Sequence, residues 1–179
     1  MPTPDRNARC FFTQQVFLIG TYDADGSAHF APISWISWTF GPPACLVISM
    51  HGDKRTKTNF ERTGMLSATV LTPDLLAFAE SNNDATRNAN AHPEIVIGKG
   101  SLLEVPLIAD AKFSYECRLR ETVSVGETHT YFAEIMKINV SEEIAALEHY
   151  DLCKIDPVIY SPGHYYAVGK PLGEIGDYS

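Results

Sequence analysis

The densest chemistry in this chain lies in Asp53-Lys54-Arg55-Thr56-Lys57-Thr58-Asn59, where three cations, two hydroxyls and a carboxamide fall within one short segment. Lys and Arg make charge-assisted hydrogen bonds to phosphate oxygens, and a helix start adds unpaired N–H groups and the positive end of its dipole. A helix follows directly, because Thr58-Asn59-Phe60-Glu61 has the Thr-x-x-Glu spacing of a capping box and Gly64 stands where two turns would end. The spacing therefore predicts an anion site at a helix start near Asn59, with Lys54, Arg55, Thr56 and Thr58 beside it. A solvated charged loop is the competing reading, and composition alone does not separate the two.

A second stretch, His29-Phe30-Ala31-Pro32-Ile33-Ser34-Trp35-Ile36-Ser37-Trp38, combines small residues, a proline and two tryptophans. Such a stretch suits a flat aromatic ligand. Ala31 and Pro32 let a ring approach the backbone, Ser34 can hydrogen-bond a polar ring edge, and Trp35 or Trp38 can cover an apolar face. Ordinary core packing is the alternative.

The elements that must position these groups read as strands with few short helices between them. Residues 15–22 are rich in β-branched and aromatic side chains, and Asp23-Ala24-Asp25-Gly26 supplies turn chemistry before the chain resumes at Ala28, which predicts a hairpin. Pro42-Pro43 breaks the chain, and residues 44–50 then read as a strand apolar on both faces, at the centre of a barrel. Residues 65–72 predict another strand and residues 73–80 a helix with Pro early. Residues 81–93 have no steady period and read as a loop or a marginal helix. Residues 95–105, 113–125 and 130–140 predict strands, the last two joined through Gly126-Glu127-Thr128-His129. Closure satisfies strand edges that an open sheet leaves exposed, so a mainly β, antiparallel closed sheet is expected.

A length of 179 residues with 45% hydrophobic content fits one domain, residues 1–179, with enough interior for a full barrel. The net charge of −8 sets the surface field against nucleic acid. The longest apolar runs are strand-sized, far short of a membrane span, and the N-terminus has no secretory apolar stretch, so a cytoplasmic protein is expected. Cys10, Cys45, Cys117 and Cys153 are widely spaced without a C-x-x-C pair, which argues against zinc and against a dithiol centre. Reduced, mostly buried thiols and no metal site are expected.

Taken in order, these segments resemble the flavin reductase-like family of FMN-binding split barrels, in particular its flavoredoxin-like members. The family's A-P-x-S segment is matched by Ala31-Pro32-Ile33-Ser34, and its P-P with a buried strand by Pro42-Pro43 through Ser49. Its K-x-T-x-x-N segment is matched by Lys54, Thr56 and Asn59, followed by Thr63-Gly64. Its G-x-x-H hairpin resembles Gly126 to His129, and its closing segment resembles Pro157 to Tyr160, Tyr165-Tyr166 and Gly169. His29 stands where the family often carries Asn, and the 81–93 linker is short for the family.

The resemblance implies an antiparallel split β-barrel with FMN phosphate at Lys54, Thr56 and Asn59. It also implies a ring beside Pro32, Ile33, Ser34 and Trp35, with Ser49 nearby. It implies a homodimer, with hydride passing from NADH or NADPH to the flavin and electrons then going to an acceptor, such as a protein or a monooxygenase component. No G-x-G-x-x-G follows a strand, since Gly98-Lys99-Gly100 lacks the third glycine, so a nicotinamide would bind against the flavin itself. His129 is the side chain expected near the reaction, because imidazole can hydrogen-bond a nicotinamide amide. An FMN electron carrier with little NAD(P)H oxidase activity is the alternative, and a flavin-free small-ligand barrel is a third.

Overall fold

The computed structural model describes residues 13–83, 92–147, 149, 151–174 and 176–177. Its chain order is β1 (Gln14–Gln15), β2 (Phe17–Tyr22), β3 (Ala28–Ile33), β4 (Ile36–Thr39), β5 (Cys45–His51), α1 (Arg55–Thr63) and β6 (Met65–Val70). A 3-10 turn (Pro73–Leu75) leads into α2 (Leu76–Asn83), followed by β7 (Ile97–Lys99), β8 (Pro106–Ile108), β9 (Phe113–Val125) and β10 (Thr128–Val140). The chain closes with α3 (Glu142–Ala145), α4 (Leu152–Ile155), β11 (Ile159–Ser161) and β12 (His164–Tyr166). The mainly β architecture with short helices is as the sequence predicts.

Seven strands form the main antiparallel sheet in the order β3-β2-β6-β9-β10-β5-β4. Laid flat at about 4.8 Å per strand, the outer two would stand about 29 Å apart. Yet β3 ends at Ile33 and β4 begins at Ile36, and the Ser34-Trp35 link reaches about 11 Å at most. The sheet must therefore curl until its two edges meet at this corner. Two hydrogen bonds secure the corner, from Ile36 N to Ser34 O at 3.0 Å and from Ser49 N to Trp35 O at 3.0 Å. Pro32 fits its place because β3 is an edge strand, where a missing N–H leaves no broken ladder.

The strands buried on both faces are β2 and β6, not β5. Phe17 and Ile19 join the barrel core with Leu46, Ile48, Phe60, Leu66 and Tyr131, whereas Leu18 packs outward with Phe30, Leu75 and Phe78 under α2. β5 lies second from the end of the order, and past Cys45 it buries Leu46, Ile48 and Met50 while Val47 and Ser49 are half-buried. Its continuous apolar run concealed that alternation.

Two further expectations shift. The helix begins at Arg55 rather than Thr58: the N-cap is Lys54, and Thr58 N already donates to Lys54 O at 3.0 Å. Thr56, Asn59 and Phe60 are buried at helical spacing, and packing that face extends the helix one turn upstream of the capping box. Gly64 ends it as expected, with φ 67°. The 95–105 strand is only β7, which pairs with β8, because the intervening loop wraps a buried carboxylate. Glu116 accepts from Leu103 N at 2.7 Å, Leu102 N at 2.9 Å and Ser101 N at 3.2 Å. Burial pushes its pKa up, but those bonds and Asn139 outweigh it and hold the carboxyl below its ordinary value. Residues 81–83 end α2, and the rest of the 81–93 linker up to residue 91 lies outside the described residues. Cys45 and Cys117 are buried free thiols as expected, Cys153 is exposed, and Cys10 lies outside the described residues.

Close approach of three strands explains Gly20. A Cβ there would meet Phe30 Cε1 at 2.7 Å and Pro106 O at 2.8 Å, with Ser67 Oγ closer still. Gly20→Ala should therefore cost about 1–3 kcal/mol by overpacking. Thermal denaturation checks this, with a melting temperature lowered by several degrees and the same far-ultraviolet circular dichroism at 20 °C as outcomes.

Candidate functional site

α1 lies across one end of the barrel and is tied down on three sides by its own sequence spacing. Arg55 and Asn59, one turn apart, face the β2–β3 hairpin. Arg55 Nε donates to Asp23 Oδ1 at 2.7 Å and Nη2 pairs with Oδ2. Asn59 Nδ2 donates to Asp23 Oδ1 at 2.8 Å and to Thr21 Oγ1 at 3.2 Å. Thr56 faces β3, with its Oγ1 3.0 Å from His29 Nε2. Lys57 and Glu61, again one turn apart, face the β9–β10 hairpin, where Lys57 Nζ donates to Glu127 O at 3.3 Å and Glu61 meets His129.

The helix start is open to an anion. Lys54 makes no side-chain cap bond and the first turn holds no acidic residue, so its N–H groups and dipole end have no capping side chain of their own. Charges around it are nevertheless partly neutralised. Burial pushes the Asp23 carboxyl up, but hydrogen bonds from Arg55, Asn59 and Ser27 and the guanidinium charge bring it down to about 2. Burial and the Arg55 charge hold His29 below its ordinary value, so this imidazole is neutral at pH 7.

From the helix start a polar strip runs along one face of the β5–β10 pair toward the barrel corner. His51 Nδ1 lies 2.9 Å from Thr128 Oγ1, and Ser49 Oγ lies 2.7 Å from Thr130 Oγ1. Beyond Ser49 stands Trp35, 46% exposed, with Ala31, Pro32, Ile33 and Ser34 half-buried behind it. Ser49 and Lys54 are five residues apart, so the strip is about 17 Å long at most. Along β3, His29 and Ile33 are about 13 Å apart, and His29 touches Thr56. Both routes limit the distance between the cationic segment and the Pro32 to Trp35 segment to about 17 Å or less.

A profile for the flavin reductase like domain matches residues 8–169. The chain belongs to the flavin reductase-like family. Among solved structures it is similar to flavoredoxin of Desulfovibrio vulgaris (Miyazaki F), with TM-score 0.84 and 21% identity over 98% of each chain. It is also similar to nitrilotriacetate monooxygenase component B from Bacillus cereus, with TM-score 0.86 and 13% identity over 97% of this chain and 100% of that one. An FMN-binding protein from Thermus thermophilus, solved with bound p-hydroxybenzaldehyde, shares the fold at TM-score 0.77 and 14% identity over 97% of each chain. No curated protein sequence matches. The split-barrel fold that the motifs imply is thereby shown.

Within this family fold, the residues singled out from sequence divide into groups. Lys54, Arg55 and Thr56 share the first turn of α1, whereas Thr58 is exposed further along it and Asn59 is buried with its amide nitrogen engaged. Period-two alternation puts His129 on the opposite face of the ribbon from Ser49 and Thr130. There Glu61 Oε1 accepts from His129 Nδ1 at 2.7 Å and from Tyr131 OH at 2.6 Å. The Tyr131 hydrogen bond, against partial burial, and then the His129 hydrogen bond hold Glu61 below its ordinary value. A carboxylate only accepts, so Nδ1 of His129 carries a hydrogen and Nε2 is the ring nitrogen that Glu61 leaves unengaged. Asp23, Glu61, Thr128, Thr130 and Tyr131 escaped the sequence reading. Asp23 appeared there only as turn chemistry, and the two threonines become visible only through the register Thr130↔Ser49 and Thr128↔His51.

Asp23 also sets an acid limit. Its folded pKa lies below the ordinary value of 3.8, so its contribution is fully present above that value and is lost as pH falls through about 2. Asp23→Asn should cost about 1 kcal/mol at pH 6. In urea denaturation the gap between the two proteins should close as pH approaches 2; a gap unchanged at pH 2 would contradict the ion pair.

Proposed function

We propose that this chain binds FMN and uses it to take hydride from NADH or NADPH and pass electrons to an acceptor. The observation that carries this reading is the continuous strip from the uncapped, cationic start of α1 to the Trp35 corner. A phosphate monoester matches the donors at one end, namely Lys54, the first-turn N–H groups and the Thr56 hydroxyl. With neutral His29 donating to Thr56 Oγ1, the hydroxyl hydrogen is left for the anion. A flat ring matches the other end, where Ala31 and Pro32 allow close approach, Ser34 and Ser49 offer hydroxyls, and Trp35 offers an apolar face.

Bound flavin would supply the hydride-accepting ring, and the protein's part is to hold donor and acceptor in register and exclude water. Lys54 and Thr56 anchor the phosphate, and Thr130 and His51 extend the polar track between anchor and ring. Arg55 stands beside the phosphate, but Asn59 acts by fixing α1, since its amide hydrogens are spent on Asp23 and Thr21. Thr58 lies off the track. His129 sits off the flavin strip, which suits contact with the nicotinamide amide through Nε2 rather than with the flavin. Trp38 at 38% exposure on β4 and Phe40 at 101% just past its end support a homodimer that covers them.

The absorption spectrum of purified protein is the first check, since a yellow protein with an oxidised-flavin band is expected. Anaerobic titration with NADH and NADPH should bleach that band on a turnover timescale. A flavin band that resists both donors would replace the reductase with an electron carrier, and colourless protein that ignores added FMN would remove flavin altogether. Lys54→Ala with Thr56→Ala removes phosphate hydrogen bonds in a solvent-open site, so FMN affinity should fall severalfold while riboflavin affinity holds. His129→Ala should slow flavin reduction more than it weakens FMN binding, and equal losses would place it among the flavin-binding residues.

A further inference from the structure

The fold places its own anion beside the helix start where the flavin phosphate is proposed to sit. Asp23 stands in the β2–β3 turn with its side chain only 12% exposed, and both its oxygens face Arg55, through Nε and Nη2. That two-pronged fork is the geometry in which a guanidinium also grasps phosphate, so the same donors cannot serve both anions at once. Asn59 and Ser27 hold the carboxylate in place from two other directions, so it is a built feature of the hairpin and not a loose surface contact. Lys57 is partly engaged with Glu127 O, which leaves Lys54 as the cation of the first turn without a hydrogen-bonded partner among the described residues.

We infer that Asp23 competes with the flavin phosphate for Arg55, keeping the preference for FMN over riboflavin small. The inference rests on the phosphate reading above and names the residue that tunes it. A phosphate dianion arriving at α1 meets one guanidinium already neutralised and one fixed negative charge nearby. Most of the affinity then falls to the ring end, which FMN and riboflavin share.

Fluorescence titrations of FMN and riboflavin against wild type, Asp23→Asn, Asp23→Ser and Arg55→Gln test it, with melting temperatures recorded for each. Wild type should prefer FMN less than about tenfold, and Asp23→Asn should strengthen FMN binding about tenfold by freeing the guanidinium and removing a like charge. Riboflavin affinity should not change. Arg55→Gln should weaken FMN less than about threefold in the wild-type background and abolish the gain in the Asp23→Asn background. Asp23→Ser reads the same gain if the amide variant folds poorly. An FMN affinity that falls or stays level on removal of the carboxylate overturns the inference, as does an equal change for riboflavin. A loss of tenfold or more in Arg55→Gln also overturns it, since Arg55 would then already hold the phosphate. Wild type that binds both flavins while the variants fail these outcomes removes this inference alone, whereas wild type that binds neither removes the FMN reading beneath it.

Discussion

A nine-residue helix is marginal on its own in water, and α1 is held against the barrel by burial of Phe60 together with directed bonds to Asp23, His29 and the β9–β10 hairpin. Its buried residues, Thr56, Asn59 and Phe60, are mostly polar, so hydrophobic burial rests chiefly on Phe60, whose ring packs edge-on against Tyr131 at 5.2 Å. The remaining attachment is made of directed bonds to two hairpins. Directed bonds fix rotation about the helix axis in a way that a greasy stripe does not. That rotation decides which N–H groups and which cations face the strip, so the arrangement of the site follows from the attachment of the helix.

The second constraint is the corner at Ser34-Trp35. Curling a seven-stranded sheet until its edge strands join leaves a seam, and the seam is where backbone is least committed to ladder bonds. Pro32 and Trp35 occupy that seam at no cost to the sheet, one lacking a donor and the other lying partly on the surface. The seam and the helix start are linked by β5, whose outward residues Ser49 and His51 pair across to Thr130 and Thr128. One strand thus sets the distance between the start of α1 and the Trp35 corner.

Much of this was legible from residues alone. The turn at Asp23-Ala24-Asp25-Gly26, the helix stop at Gly64 and the long β9–β10 ribbon follow from local chemistry, and each is found where that chemistry places it. What failed did so for tertiary reasons. The capping box at Thr58 is a sound local signal, but packing of Thr56 against His29 recruits one more turn. Residues 95–105 look extended, but the buried charge of Glu116 draws the loop's N–H groups inward. β5 reads as apolar on both faces because a strand's neighbours, not its own sequence, decide which side is covered.

The same period of two that defeats a one-dimensional reading of β5 gives β10 a division of labour. Thr128 and Thr130 join the strip, while His129 and Tyr131 turn to Glu61 on α1, so adjacent residues of one strand serve opposite faces. Glu61 thereby ties the β9–β10 hairpin to α1 much as Asp23 ties the β2–β3 hairpin to it, Glu61 accepting from His129 and Tyr131 and Asp23 from Arg55, Asn59 and Ser27. Two carboxylates in an acidic protein thus orient the groups around a cationic start without cancelling Lys54. An anion that binds there meets a helix whose position is already decided, and the ordering cost is met in folding rather than in binding.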